Sequence, residues 1–311
     1  MEQKTAFIFP GQGSQYVGMA KDFFEAFPAA KEKFQQANDI LELDLAEMCF
    51  HGPEEELKKT IITQPAIFVH SCIILEQVVA KGLKPDMVAG HSLGEYTALV
   101  AASVLDFENA LRLVKIRSEA MQEAGEDKPG TMAAIIGVDA ATIDEICKLA
   151  SDAGVVQAAN YNSSGQIAIS GDHAAIKKAI QIAPEKGARK AVELVVGGAF
   201  HSPLMEGARR KLKMALDQTV FKDAAAPIYQ NATATAETNA SAIKRNLDMQ
   251  LTSPVRWIEC VENMIAAGAA NFYELGPNKV LTGLVRRINR AITPKSIDKL
   301  EHFENLASFS T

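Results

Sequence analysis

Residues 90–94 read Gly90-His91-Ser92-Leu93-Gly94, a G-x-S-x-G pentapeptide between the apolar stretch Met87-Val88-Ala89 and a helix-like run from Glu95 to Ala102. A serine on a tight strand-to-helix turn needs glycine on both sides, because neighbouring Cβ atoms would collide where the backbone bends. The turn pushes Oγ into the open and aims the Leu93 N–H, with the positive end of the new helix, at any oxyanion formed on Ser92. That arrangement suits nucleophilic attack on a carbonyl through a covalent acyl intermediate. The competing reading is a glycine-rich turn carrying an ordinary serine.

A serine of ordinary pKa needs a base, and the chain has six histidines: His51, His70, His91, His173, His201 and His302. His201 stands at a glycine-flexed junction, after Gly197-Gly198-Ala199-Phe200 and before Ser202-Pro203, where two units would line a cleft. His51, His70 and His173 lie in helix or helix-cap contexts that favour structural roles, and His91 reads as pocket lining. A second oxyanion donor falls at Gln12, in Gly11-Gln12-Gly13-Ser14-Gln15 after the first apolar run. A nucleotide loop is the alternative there, but Tyr16 fills the third glycine position and no Gly-Lys-Ser/Thr follows.

Arg117 carries the clue to substrate. On a helical wheel, Asp106–Ala124 gathers Ala110, Leu113, Val114, Ile116, Ala120, Met121 and Ala124 into one apolar arc, with Arg117 in its middle. A guanidinium on a buried face is costly unless paired, and its planar fork suits a carboxylate. The carboxylate belongs either to a protein Asp or Glu or to the substrate.

The elements that must hold these residues follow an α/β order. Thr5–Phe9 reads as a buried parallel strand, and helical patterns follow around 19–37, 54–60 and 65–82 before the strand that delivers Ser92. Gly125 to Gly130 breaks the next helix. From there the pattern is strand 131–138, helix 139–152, a hairpin of 155–160 and 165–170, helix 173–187 and strand 189–196. This is the β-α-β-β-α-β order of a ferredoxin-like unit. It predicts an inserted domain at 128–197 within a larger α/β domain formed by 1–127 and 198–311.

Composition agrees with a globular chain: 311 residues, 48% hydrophobic and 23% charged. No apolar stretch approaches the roughly 18–20 residues of a membrane span, and Met1–Thr5 leads directly into a strand, which together predict a cytoplasmic protein without a membrane partner. Cys49, Cys72, Cys147 and Cys260 are scattered without C-x-x-C spacing and read as small buried hydrophobes, with no metal site. A net charge of −6 argues against nucleic-acid binding. An acidic partner would need a local basic patch, for which Arg189, Lys190, Arg209, Arg210, Arg286 and Arg287 are candidates.

Taken together, Gly-Gln-Gly-Ser-Gln at 11–15, Gly-His-Ser-Leu-Gly-Glu-Tyr at 90–96, Arg117 with Met121-Gln122, Ala199-Phe200-His201-Ser202 and Glu274-Leu275-Gly276-Pro277 resemble the malonyl-CoA:acyl carrier protein transacylases over essentially the whole chain. The resemblance implies a large α/β hydrolase-like domain with a parallel central sheet, an inserted ferredoxin-like domain, and a site between them. It makes Ser92 the nucleophile, His201 the base, Arg117 the clamp for the malonyl carboxylate, and the Gln12 and Leu93 amides the oxyanion hole. The histidine's partner in this family is a backbone carbonyl, which falls here at Gln250. Gln64, Met121, Asn160 and Asn162 would line the pocket, and Phe200 would limit bulk at the substrate's α-carbon. The implied reaction moves malonyl from malonyl-CoA to acyl carrier protein, in fatty acid or polyketide synthesis, with no metal or redox cofactor. A serine hydrolase or thioesterase, an acyltransferase using another acyl-CoA, and a non-catalytic docking module are the alternatives.

Overall fold

Thr5–Phe9 is apolar at successive positions because its strand is covered on both faces. In the computed structural model, which describes residues 3–306, this strand is β1 (Lys4–Phe9). Phe7 and Phe9 enter one buried cluster, with helices such as Thr60–Ala80 and Phe107–Asp127, whereas Ala6 and Ile8 enter a second with helices Trp257–Ala266 and Val280–Ile288. The alternation is the two-residue period of a strand between two helical layers.

The remaining strands are β2 (Met87–Gly90), β3 (Gly130–Ile136), β4 (Val156–Ser163), β5 (Gln166–Asp172), β6 (Lys190–Glu193), β7 (Ile228–Tyr229), β8 (Ala236–Glu237), β9 (Ala269–Leu275) and β10 (Lys295–Ile297). One sheet has the order β10-β9-β1-β2-β7-β8, parallel throughout except for β8. The other is antiparallel with the order β4-β5-β3-β6. Helices Ala140–Ala150 and His173–Ile182 cover one face of this second sheet and share with it a separate core that includes Ile135, Ile143, Ile146, Ile167, Ile169 and Ile176.

Several boundaries differ from the sequence expectation. The pattern read as one helix over 19–37 is two, Lys21–Ala26 and Pro28–Leu41, because Phe27 before Pro28 takes an extended backbone. Gly125 does not break its helix, which runs on to Asp127. An added Cβ at Gly125 would lie 2.1 Å from the Gly197 carbonyl oxygen, so glycine here permits the chain leaving for the second sheet to cross the chain returning from it. The strand expected over 189–196 is only Lys190–Glu193. Helix Thr60–Ala80 starts before Pro65 and, contrary to the reading of the apolar stretches, is long and apolar enough to span a membrane. In this fold 83% of its most apolar window is buried inside the protein, the placement of a core helix.

Glu274, at the end of β9, is fully buried and accepts the Leu281 N–H at 2.9 Å and the Thr282 N–H at 2.7 Å. It thereby caps the helix that follows. Burial outweighs these bonds and raises its pKa from 4.5 to about 7. A carboxyl whose folded pKa is raised contributes stability that is present below the unfolded value and lost as pH rises through the folded one. Urea unfolding of wild type and Glu274→Gln at pH 4.5 and pH 8 should therefore show the wild type losing about 2–3 kcal/mol relative to the variant across that window. A constant difference would mean that Glu274 does not titrate there.

Candidate active site

The two elbow glycines are required by close approaches of backbone. A Cβ on Gly90 would lie 1.9 Å from the Gly94 carbonyl carbon, and one on Gly94 would lie 2.0 Å from the Phe9 carbonyl oxygen. Between them Ser92 takes a left-handed φ of 52°, a strained conformation that lifts its side chain off the sheet. Ser92 follows β2, Gln12 follows β1 and Asn231 follows β7, so three adjacent strands deliver them to one edge of the sheet. Ligands of open parallel sheets bind beyond this carboxyl edge.

Ser92 Oγ lies 2.8 Å from His201 Nε2 and 3.0 Å from Arg117 Nη2. Arginine can only donate, so Oγ accepts from Nη2 and its own hydrogen points to Nε2. His201 Nδ1–H then donates to the Gln250 backbone oxygen at 2.9 Å. Gln157 from β4 donates to the His201 carbonyl at 2.8 Å, which helps hold the left-handed φ of 58° at this residue. Burial, and after it the Arg117 charge, push the His201 pKa down to about 3, leaving the imidazole neutral and able to accept a proton.

Arg117 is 1% exposed. Nη1 donates to Gln64 Oε1 at 2.6 Å and Nη2 to Gln250 Oε1 at 3.0 Å, while the buried Nε has no acceptor among the described residues. Its Cζ stands 5.5 Å from the centre of the Tyr96 ring. Among the described residues no carboxylate lies within 4.0 Å of the guanidinium. The internal ion pair considered from the sequence is therefore not what holds it.

Beneath the elbow lies a polar cluster that the sequence reading missed. Asn231 Oδ1 accepts the Ser92 N–H at 2.7 Å and its Nδ2 donates to the Gly90 oxygen at 2.6 Å. Glu95, fully buried, accepts from Asn231 N at 2.9 Å, Gln230 Nε2 at 2.9 Å and Gln250 Nε2 at 3.0 Å. Gln250 Nε2 also donates to the Ser92 carbonyl at 2.9 Å. Burial raises the Glu95 pKa, yet all three neighbours are donors and fit a carboxylate. The sequence signal for this cluster is slight: Glu95 adjoins the pentapeptide, and Gln230-Asn231 are polar residues directly after a buried strand.

Oγ opens on a pocket of about 220 Å³. Of the residues expected to form the site, Gln12, Ser92, Leu93, Arg117, Met121, Asn160, Asn162, Phe200 and His201 line it. Neither the Gln12 nor the Leu93 amide has an acceptor among the described residues. His91 also lines the pocket, with Nε2 2.8 Å from Asn162 Oδ1. A register shift in β4 between Ala158 and Asn160 lets Asn160 face the pocket although Ala158 belongs to the second sheet's core. Gln64 corrects the expectation. It is fully buried behind Arg117, bonded to the guanidinium, and is not part of the pocket wall. Gln250 likewise stands behind the wall, through its backbone oxygen and its side chain alike.

The acyl transferase domain model matches residues 6–299. The chain is 44% identical over 302 residues to a malonyl CoA-acyl carrier protein transacylase of Bacillus subtilis, covering 97% of this chain and 95% of that one. It superposes with a TM-score of 0.93 and 40% identity on an acyl carrier protein S-malonyltransferase from Vibrio cholerae, covering 97% and 99% of the two chains. The same TM-score and identity relate it to a malonyl-transacylase solved with its type II PKS acyl-carrier protein, covering 97% and 98%.

Asn231→Ala takes their side-chain partner from the part-buried Ser92 N–H and the buried Gly90 oxygen, a loss of about 1–3 kcal/mol in stability by urea unfolding. Acylation at Ser92 should fall with it, since the elbow is no longer held. Unchanged stability and rate would show that the elbow is kept in place by its glycines alone.

Proposed function

The chain belongs to the acyl transferase domain family, and we propose that Ser92 and His201 carry the transfer of malonyl from malonyl-CoA to the phosphopantetheine thiol of acyl carrier protein. His201 Nε2 takes the Ser92 proton as Oγ attacks the thioester carbonyl. The Gln12 and Leu93 amides hold the oxyanion. Collapse breaks the C–S bond, and the departing thiolate of CoA receives the proton from His201. The carrier thiol then gives its proton to His201, attacks the malonyl-serine ester, and Ser92 leaves with that proton restored. Gln250 keeps the imidazole's Nδ1–H engaged throughout.

The observation that carries the substrate assignment is the buried Arg117 beside Oγ, with no carboxylate among the described residues to pair with it. A malonyl group presents a carboxylate one methylene away from the carbonyl carbon that Oγ must reach. Charge-assisted bidentate pairing inside a desolvated pocket is strong and favours this substrate over acyl groups that lack the carboxylate. Met121, Met132, Leu194, Val196 and Phe200 supply the apolar wall. We take 128–197 as the inserted domain.

For the carrier protein, the six basic residues considered above reduce to four. Arg209 is engaged by Asp248 and Glu206, and Arg210 by Glu206. Arg189, Lys190, Arg286 and Arg287 remain, and Arg287 bonds the pocket residue Gln166, which puts it at the mouth. Arg286→Glu with Arg287→Glu should slow transfer to carrier protein at low salt by roughly tenfold and flatten its salt dependence. An unchanged rate and salt slope would exclude this rim from docking.

Intact-mass measurement after brief exposure to malonyl-CoA tests the chemistry. Wild type should carry one malonyl group that leaves on adding carrier protein, and Ser92→Ala none, while His201→Ala should acylate about 10²–10⁴-fold more slowly. Arg117→Ala should lose about 2–5 kcal/mol in malonyl transfer. Acetyl-CoA should react no worse with that variant than with wild type. A malonyl adduct on Ser92→Ala, or equal losses for both substrates in Arg117→Ala, would overturn the assignment.

A further inference from the structure

Three oxygens occupy the Arg117 guanidinium, and they are not equivalent. Gln64 Oε1 and Gln250 Oε1 belong to side chains buried behind the pocket wall, whereas Ser92 Oγ faces the cavity. A ligand entering from the pocket can exchange only with Oγ. Nη2 is the guanidinium nitrogen that holds Oγ, and a guanidinium binds a carboxylate most strongly when it can turn two of its N–H groups to it. A carboxylate arriving from the pocket competes with Oγ for Nη2.

We propose that the substrate's carboxylate releases the nucleophile: Arg117 holds Ser92 Oγ in the free enzyme, and a carboxylate that meets the guanidinium from the pocket displaces Oγ from Nη2 and frees its lone pair for attack. This rests on the reading of Arg117 as the malonyl partner. A hydrogen bond donated by a cation withdraws charge from Oγ and must break, or turn aside, before that lone pair can form the new C–O bond. Malonyl brings the group that breaks it, and acetyl does not. Arg117 thus selects malonyl twice, once in binding and once in the rate of acylation at saturation. The second effect has a further source, because the guanidinium is the largest contributor after burial to the low basicity of His201, and a docked carboxylate offsets it.

Formate with acetyl-CoA reconstitutes the parts of a malonyl thioester without the bond between them. Acetyl-Ser92 formation should be followed by intact mass at saturating acetyl-CoA, with formate titrated against sodium chloride at matched ionic strength. Formate should raise the limiting acylation rate of wild type by roughly 2–10-fold, the worth of one hydrogen bond, with no comparable change in KM. Chloride should not. Arg117→Ala should acetylate at a rate insensitive to formate. No activation of wild type by formate, equal activation by chloride, or activation that persists in Arg117→Ala would each overturn the proposal. Malonyl-CoA run in parallel separates the two readings: normal malonyl transfer without formate activation leaves the transferase assignment standing and removes only the release step.

Discussion

A positive charge buried without a negative charge in contact among the described residues is the constraint around which the rest of this site is arranged. Desolvating a guanidinium is costly, and Arg117 is met by neutral oxygens from Gln64, Gln250 and Ser92 and by the face of Tyr96. Neutral acceptors soften that cost without cancelling the charge. The cation keeps an unfilled demand for an anion, directed at the pocket. A protein carboxylate in the same place would have produced a more comfortable core and closed the site to an anionic substrate.

Gln250 ties the parts of this arrangement together. Its backbone oxygen fixes the tautomer of His201, its side-chain oxygen fixes Arg117, and its amide donates to Glu95 and to the Ser92 carbonyl. His201, Arg117 and Ser92 are therefore referred to one residue, on the short turn Gln250–Thr252 after helix Ala240–Met249. The Glu95 carboxylate acts on the guanidinium from behind that amide, close enough to favour its charge and too far to pair with it.

Local features were legible from the chain. The G-x-S-x-G turn, the β-α-β-β-α-β order and the position of Arg117 on an apolar helix face each arise from neighbours within a few turns or strands, where periodicity and glycine placement carry the information. Features decided by packing between distant segments were not. Asn231 reaches the Ser92 amide across 139 residues, and Gln230 reaches Glu95 across 135. The resemblance puts Gln64 in the pocket wall, since a motif alone does not separate a residue that lines the pocket from one that supports the residue that does. Gly125 carried a breaker's signature, yet its lack of a side chain serves a chain crossing that appears only in three dimensions.

The second sheet has a core of its own, yet lends Met132, Asn160, Asn162, Gln166 and Ala168 to the pocket wall. Ser92, Arg117 and Asn231 come from the other sheet and the helices around it. Substitutions that reshape the pocket can therefore accumulate on the pocket-facing side of the second sheet without touching Ser92, His201 or Arg117. Such a division lets the shape of the cavity change through one sheet while the hydrogen bonds that join Ser92, His201 and Arg117 are left to the other.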